Sequence, residues 1–388
     1  MKPHFSPRLR RAAVLFILLL TALPAAFLSG CRRKAVLETS PETALETSPE
    51  TAPDVVSQTV RIAEIYRDIY ETASREGSLS AVRTAASIAD RLAENGYCVT
   101  DAENQNLINL RNPDLLRSFC DSVAEGADAM TSFFCISPNG GLIRFDLISR
   151  SGAVSVTRSV LTWSSGEPAV TWQGSYPAEG WKSDGDYLFF EENLPVAYDG
   201  APGYTAVRIR QLEDSCLRWT KECLRPAGYG STGLFFENWT EEDMDPPFFY
   251  DLFPLLYPSV FGRQIPYEQT AYGALYRVPE VEFETVIRTY FSISEDALRQ
   301  TDGYRADLRC YEYRSRSFAD NPGSPNSPYP EAISCAENGD DTLTLTVRAV
   351  WPSRHSCDAF FHEVTIRPMP DGGFQFVSNR VLSEEIPE

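Results

Sequence analysis

The chain has 388 residues, 43% of them hydrophobic and 12% aromatic, and a formal net charge of −19. That length and composition suffice for two domains, or one large one, with a substantial core. An acidic surface without a basic stripe repels phosphate backbones, so nucleic acid is excluded from the expected partners.

Lys2, Arg8, Arg10 and Arg11 precede an apolar run from Ala12 through Leu20, which breaks at Pro24 and ends in Leu28-Ser29-Gly30-Cys31. This is the order of an export signal. The final tetrad resembles the bacterial lipobox, in which small residues fit the peptidase and the cysteine thiol accepts a diacylglycerol before cleavage in front of it. The expectation is a signal peptide over 1–30 and a mature chain held by lipid on Cys31 at the extracytoplasmic face of the cell membrane, anchored without spanning it. The alternative is an ordinary signal peptide, or a short membrane anchor, with an incidental cysteine. Loss of residues 1–30 moves the formal charge from −19 to −23. Arg32, Arg33 and Lys34 either touch anionic headgroups, at about 1 kcal/mol per charge, or begin a solvated linker. The octapeptide LETSPETA stands at 37–44 and again at 45–52. Such a repeat buries no apolar surface, so 31–53 reads as a disordered tether.

A helical region is expected over 54–130. Asp54 is an N-cap for a helix carrying Ile62, Tyr66, Ile69 and Ala73. A second helix spans Ser80–Asn95 and stops at Gly96. A third is capped by Asn112, has Pro113 in its first turn, and ends at Gly126.

From 131 to 245 the pattern is β-rich. Turns at Asn139-Gly140-Gly141, Ser151-Gly152 and Ser164-Ser165-Gly166 separate strands at 131–137, 142–149, 154–163 and 169–173, the mark of an antiparallel sheet. Strands at 187–191 and 204–211 and a helix over about 214–224 follow.

The last region, 246–388, opens on the aromatic-rich segment at 248–257. Helices follow at 281–291 and 295–300, then strands at 306–313, 342–350, 359–367 and 373–381, the last pair joined by Pro370-Asp371-Gly372-Gly373. The segment NPGSPNSP at 321–328 is a loop excursion. The fold class is therefore α+β: an N-terminal helical segment, an antiparallel β-rich middle, and a C-terminal α+β domain in which helices precede a curved antiparallel sheet. That last plan resembles, topologically, the cone-shaped domains of nuclear transport factor type.

Eight cysteines follow Cys31: Cys98, Cys120, Cys135, Cys216, Cys223, Cys310, Cys335 and Cys357. They are too sparse for a disulfide framework, and most read as small buried hydrophobes. Cys216 and Cys223 on one helix stand about 10 Å apart by helical rise, too far to pair with each other.

Signals for chemistry are few. Gly228-Tyr229-Gly230-Ser231-Thr232-Gly233 spells a dinucleotide fingerprint, but a helix and Pro226 precede it and a strand-like LFF follows; the motif needs strand, glycines, then helix, so it reads as a turn. There is no Gly-x-Ser-x-Gly elbow and no Ser-x-x-Lys pair. His355 and His362 flank Cys357, and His362-Glu363 lacks the second histidine of a zinc-protease helix. On a strand, Phe360, His362, Val364 and Ile366 share the inward face. His362 is then either a hydrogen-bonded core histidine or a cavity-facing acid, base or ligand with Glu312 as partner. Glu241, Glu242, Asp243 and Asp245 lack the spacing of a calcium loop and read as a solvated turn. Asn238-Trp239-Thr240 is an incidental glycosylation sequon. No metal or other cofactor is expected, and no catalytic residue is assigned.

Cys216-Leu217-Arg218 through Pro226-Ala227-Gly228-Tyr229, FFENW at 235–239, YDLFPLLY at 250–257, PEVEFETVIRTYF at 279–291, TLTLTVRAVW at 342–351 and DAFFHEVTIRPMPDGGFQFVSN at 358–379 resemble a family of uncharacterised lipoproteins from clostridial anaerobes. The resemblance covers about 130–385, leaving the leading helices more particular to this chain. It implies a Gram-positive host and no activity. The function expected is a non-catalytic binding or scaffolding lipoprotein of the cell envelope, with a protein or glycan ligand. The alternatives are a glycan or cell-wall hydrolase working through two carboxylates, and a ligand-capture protein of a transporter. The first of these needs a deep cleft with carboxyls about 5 to 10 Å apart; the second, two lobes of parallel strands.

Overall fold

The computed structural model describes residues 54–194, 203–229, 233–243, 247–266, 275–314 and 327–382. The expected signal peptide, tether and Cys31 lie outside the described residues, as do 321–326 of the loop excursion.

Asp54 caps α1 (Val55–Glu64), its carboxylate accepting from the amides of Val56 and Ser57. The expected single helix is in fact two. It breaks at Ile65-Tyr66, and α2 (Arg67–Glu76) starts anew. The break turns the wholly buried Tyr66 inward, where its hydroxyl donates to the carbonyl of Gly140 at 3.1 Å. The indole of Trp163 donates to the same carbonyl and stacks on Tyr70 with centroids 4.1 Å apart. α3 (Val82–Glu94) ends where expected, with Gly96 at φ +85°. Asn112 stands at the N-cap of α4 (Pro113–Ala124), as expected, but its side chain makes no capping bond there. It sits at φ +51° and its side-chain amide donates to the carbonyls of Ala93 and Tyr97, closing the preceding helix instead.

Four antiparallel strands form a meander: β2 (Ala129–Ile136), β3 (Leu142–Arg150), β4 (Ala153–Ser164) and β5 (Glu167–Pro177). A short strand not foreseen, β1 (Cys98–Thr100), joins β2 in parallel. Both faces are covered. Phe134, Leu142 and Leu161 pack under α1 and α3, while Phe133, Phe145 and Leu147 pack against α4 and a second sheet.

That second sheet is β6 (Glu179–Ser183), β7 (Tyr187–Glu191) and β8 (Tyr204–Arg208). The 101–112 loop closes the β8 edge with side-chain amides in place of a strand. Asn104 donates to the carbonyl of Tyr204 and accepts from the amide of Ala206; Asn106 repeats the pattern two residues on, with Ala206 and Arg208. Such amide pairing satisfies an edge that otherwise invites association.

α5 (Asp214–Trp219) runs into a π-helical turn at Thr220–Leu224 and a last turn, α6 (Arg225–Ala227). A 3-10 turn at Gly233–Phe235, not a strand, follows the glycines. The short strand β9 (Trp239–Thr240) comes next. α7 (Pro247–Phe261) is helical despite Pro254 and Pro258, because its aromatic side chains bury against α8 (Glu280–Tyr290). β10 (Leu275–Pro279), β11 (Tyr304–Arg305) and β12 (Cys310–Arg314) make a three-stranded sheet, with α9 (Glu295–Leu298) before β11. Of the single strand expected at 306–313 only 310–313 is strand; 306–309 is a turn, with Arg309 at φ +49°. β13 (Tyr329–Glu337), β14 (Leu343–Val350), β15 (Phe361–Pro368) and β16 (Phe374–Val381) form the last antiparallel sheet, with β9 beyond β16. One face, including Ala332, Leu345, Val347, Val364 and Phe376, packs on α5 to α8. The architecture is mixed α+β with antiparallel-rich sheets, and the described residues, all within 53–388, belong to one compact unit.

Candidate functional site

His362 points inward and is fully buried. Its Nδ1 stands 2.7 Å from the side-chain oxygen of Asn379 and its Nε2 2.8 Å from the Tyr229 hydroxyl. The consistent tautomer donates from Nδ1 to Asn379 and accepts from Tyr229. Asn379 is fixed by donating to the carbonyl of Glu237 at 2.7 Å. Burial pushes the imidazole down to about 4, so it is neutral at ordinary pH. This is the hydrogen-bonded core histidine.

Glu312 is not its partner. It lies in the other sheet and pairs with Arg305 at 2.8 Å and Arg277 at 4.0 Å. His355 stands apart again, at φ +48° after a 3-10 turn, with Nε2 3.5 Å from Glu191 and its carbonyl accepting from Lys182. The structure therefore separates these three residues. Of the acidic group, Glu241 pairs with Arg367 and Asp243 accepts from the amide and hydroxyl of Thr240; Asp245 lies outside the described residues. Among the described residues, no group of three or more His, Cys, Asp or Glu is placed to hold a metal ion. Asn238 of the sequon accepts from the amide of Val381.

A concavity that combines charge with apolar surface lies elsewhere, between α1, the α3–β1 turn and the face of β2 and β3 beneath them. It holds about 600 Å³. Its floor is Phe134 with Ile62 and Ile65, and Leu115 reaches in from α4. Arg144, paired across the ladder with Phe134, is nearly buried at 8% exposure. Its Nε donates to Asp146 at 2.8 Å and its Nη1 to the Gln58 side chain at 3.1 Å. Ser132 donates to the same carboxylate, and the guanidinium lies 5.9 Å from the Phe134 ring centroid. Arg144 is thus held in one pose. Arg61, exposed on the last turn of α1, stands at the rim. Tyr97 packs edge-on against Phe134, with centroids 5.4 Å apart. A fixed guanidinium, a second at the mouth and an apolar floor are what an anionic ligand with an apolar body needs.

Sequence reasoning passed over these residues. The available signal is Arg144 and Asp146 inside LIRFDLI, two charges two residues apart on one strand face. They look like a solvent face until α1 is seen to cover it.

A second groove, of about 580 Å³, runs between the π-helical turn and the Pro370–Gly373 hairpin; Glu222, Asp371, Tyr290 and Phe374 line it. Among the described residues, no helix is long and apolar enough to cross a membrane.

No curated protein and no solved structure matches the chain significantly. The model of a family of unknown function, DUF6070, matches residues 53–388. The match takes in the leading helices, which the resemblance had left as more particular to this chain. The chain belongs to this family of unknown function.

Proposed function

We propose that the protein is an envelope lipoprotein, carried by lipid on Cys31 at the extracytoplasmic face of the membrane, that binds a ligand without transforming it in the groove beneath α1. The observation that carries the binding role is Arg144, held by Asp146 and Gln58 over an apolar floor with Arg61 at the mouth. Its pose is set before any ligand arrives, which lowers the ordering cost of recognition. The ligand class is an anionic molecule with an apolar body, such as the carboxylate end of a peptide or muropeptide stem. For the anchor, the support is the lipobox-like tetrad together with a family match that starts only at 53.

Two measurements test this reading. Cys31→Ser should move the protein from the membrane fraction to the soluble or unprocessed pool, because a single signal without lipid gives no stable anchoring; unchanged detergent partitioning would remove the lipid from the account. Melting the protein against muropeptides, peptides, amino acids, oligosaccharides and divalent metals tests the groove. A ligand at about a hundred times its Kd adds about 2.7 kcal/mol and raises the midpoint by a few degrees. Arg61→Ala, at an exposed position, should leave the unliganded midpoint within about 1 °C and abolish most of that shift. A shift that survives the substitution places the ligand elsewhere.

The second groove favours one further reading, since Glu222 and Asp371 share it with two aromatic rings suited to sugars. Cleavage products from a glycan, lost in Asp371→Asn, would replace binding with hydrolysis. The transporter-receptor alternative has less support, because the only parallel pairing among the described strands is β1 with β2.

A further inference from the structure

Cys216 on α5 and Cys335 on β13 are 119 residues apart in sequence, and their sulfurs lie 3.4 Å apart. The register of β13 explains the meeting. Ala332 pairs with Val347 and Ser334 with Thr346, so Ile333 is an extra residue, a β-bulge. In an unbroken strand Cys335 would share the face of Glu331, which is turned away from the helices. The bulge shifts the alternation by one, and Cys335 instead pairs with Leu345 on the inner face under α5. Thr220 sets the height of the helix on the strand, its hydroxyl accepting from the amide of Ala332 at 2.9 Å, just before the bulge. A bulge and a side-chain clamp thus bring together two thiols that neither helix nor strand periodicity would align.

We propose that Cys216 and Cys335 are a redox pair that closes to a disulfide tying α5 to β13. The reading does not depend on the ligand groove.

The two thiols differ in a way that orders the reaction. Cys335 is half-buried and Cys216 buried. Either sulfur can donate across the 3.4 Å contact; with Cys216, the more buried of the two, as donor, the Cys335 thiol is lowered below its usual range and that of Cys216 is pushed up. The thiolate is the attacking species, so Cys335 is the entry point. The oxidant is a small disulfide of the cystine or glutathione-disulfide class. The Cys335 thiolate attacks one of its sulfurs, the oxidant's S–S bond breaks, and one small thiolate leaves with the bonding pair and takes up the proton released from Cys335. Cys216 then gives up its proton and attacks the Cys335 sulfur of the mixed disulfide, expelling the second small thiol. Two protein thiols are oxidised, one small disulfide is reduced to two thiols, and no other reactant is needed. The sulfurs must close from 3.4 Å to about 2.05 Å, a movement within reach of side-chain rotation.

The bond would fix the helical segment that continues into the π-helical turn, whose Lys221 and Glu222 line the second groove. Its redox state would therefore set how rigidly that wall is held.

The test uses the full chain, isolated in detergent with thiols trapped by an alkylating agent during lysis, and a second sample incubated with excess glutathione disulfide. Trypsin releases Cys216 in peptide 211–218 and Cys335 in peptide 317–348, each with a single cysteine. The expected result is these two peptides joined in the unreduced digest of the oxidised sample and separated by dithiothreitol. The oxidised protein should also melt roughly 5 °C above the reduced one, since the bond closes a long loop. Cys216→Ser and Cys335→Ser should each abolish both effects. Quantitative alkylation of both cysteines after the disulfide treatment would overturn the proposal, as would either of them joined to a different cysteine. The wild-type digest decides the matter even if a serine variant fails to fold.

Discussion

Replacing Glu331 with alanine should cost about 3 to 5 kcal/mol of stability, the range for removing one partner of a buried ion pair. Glu331 is 1% exposed and lies between two guanidiniums. Arg208 of β8, as buried as Glu331, donates to one carboxylate oxygen; Arg348 of β14 donates to the other at 2.9 Å. The Tyr187 hydroxyl of β7 adds a third bond at 2.8 Å. Burial pushes the Glu331 carboxyl up, but Arg208 and Arg348 together outweigh it and hold the group below the usual carboxylate range. In the alanine variant Arg348 keeps Asp186 at 2.7 Å, and Arg208 keeps only neutral acceptors, the carbonyls of Asn106 and Ile108 and the side-chain oxygen of Asn109. A buried cation then has no carboxylate hydrogen-bonded to it.

The loss should not be local. Arg208 stands where the 101–112 loop, the β6–β8 sheet and the last sheet meet, so the same carboxylate joins three parts of the chain. Urea unfolding of Glu331→Ala should show a lower midpoint. If the parts separate before they unfold, it should also show a smaller slope, because less surface is exposed in the main transition. A variant within about 1 kcal/mol of wild type would mean that water or a rearranged Asp186 replaces Glu331, and that the network is not what holds these sheets together.

The same residue shows why the sequence was only partly legible. Alternation reveals β3, β4 and β14 to β16 because apolar residues recur at alternate positions along them, and Asn-Gly, Ser-Gly or Asp-Gly turns mark most of their ends. β13 hides. Pro330 stands near its start, the bulge at Ile333 breaks the period, and Glu331 reads as a surface charge, since carboxylates are rarely buried unless paired. Its partner Arg208 is 123 residues away, and no local pattern reports a contact at that range. His362 is the opposite case. The strand period places it inward correctly, while its true partners, Tyr229 and Asn379, come from a turn and a neighbouring strand that spacing could not link to it. The groove was illegible for a third reason: Arg144 and Asp146 look solvent-facing on β3, and only the packing of α1 over that face makes a cavity of them.

Two buried groups should nearly cancel in the pH dependence of stability, and Asp101→Asn should expose the cancellation. His362 has a folded value of about 4 against 6.5 in the unfolded chain. Below pH 6.5 the unfolded state takes a proton that the native state refuses, so stability falls as the pH drops from 6.5 toward 4. The 2.5-unit interval corresponds to about 3 kcal/mol. Asp101 works the other way. Burial raises its carboxyl from 3.8 to about 6, against hydrogen bonds from the Leu107 amide at 2.8 Å and the Thr100 hydroxyl at 3.1 Å. The native state therefore takes this proton first. The stability it contributes is fully present below about pH 3.8 and is lost as the pH rises through 6, again by about 3 kcal/mol. Between pH 4 and 6 the two slopes oppose each other, and the wild type should be nearly flat in so far as these groups decide it. Asparagine at 101 cannot ionise. The variant should be more stable than wild type by up to about 3 kcal/mol at pH 7.5, lose that advantage as the pH approaches 4, and show the His362 slope uncovered in between. Urea midpoints of both proteins at half-unit steps from pH 4.5 to 7.5 give the difference curve. A difference that does not change with pH would mean that Asp101 is ionised over the whole range, held so by the guanidiniums of Arg208 and Arg225 nearby, and the compensation would be absent.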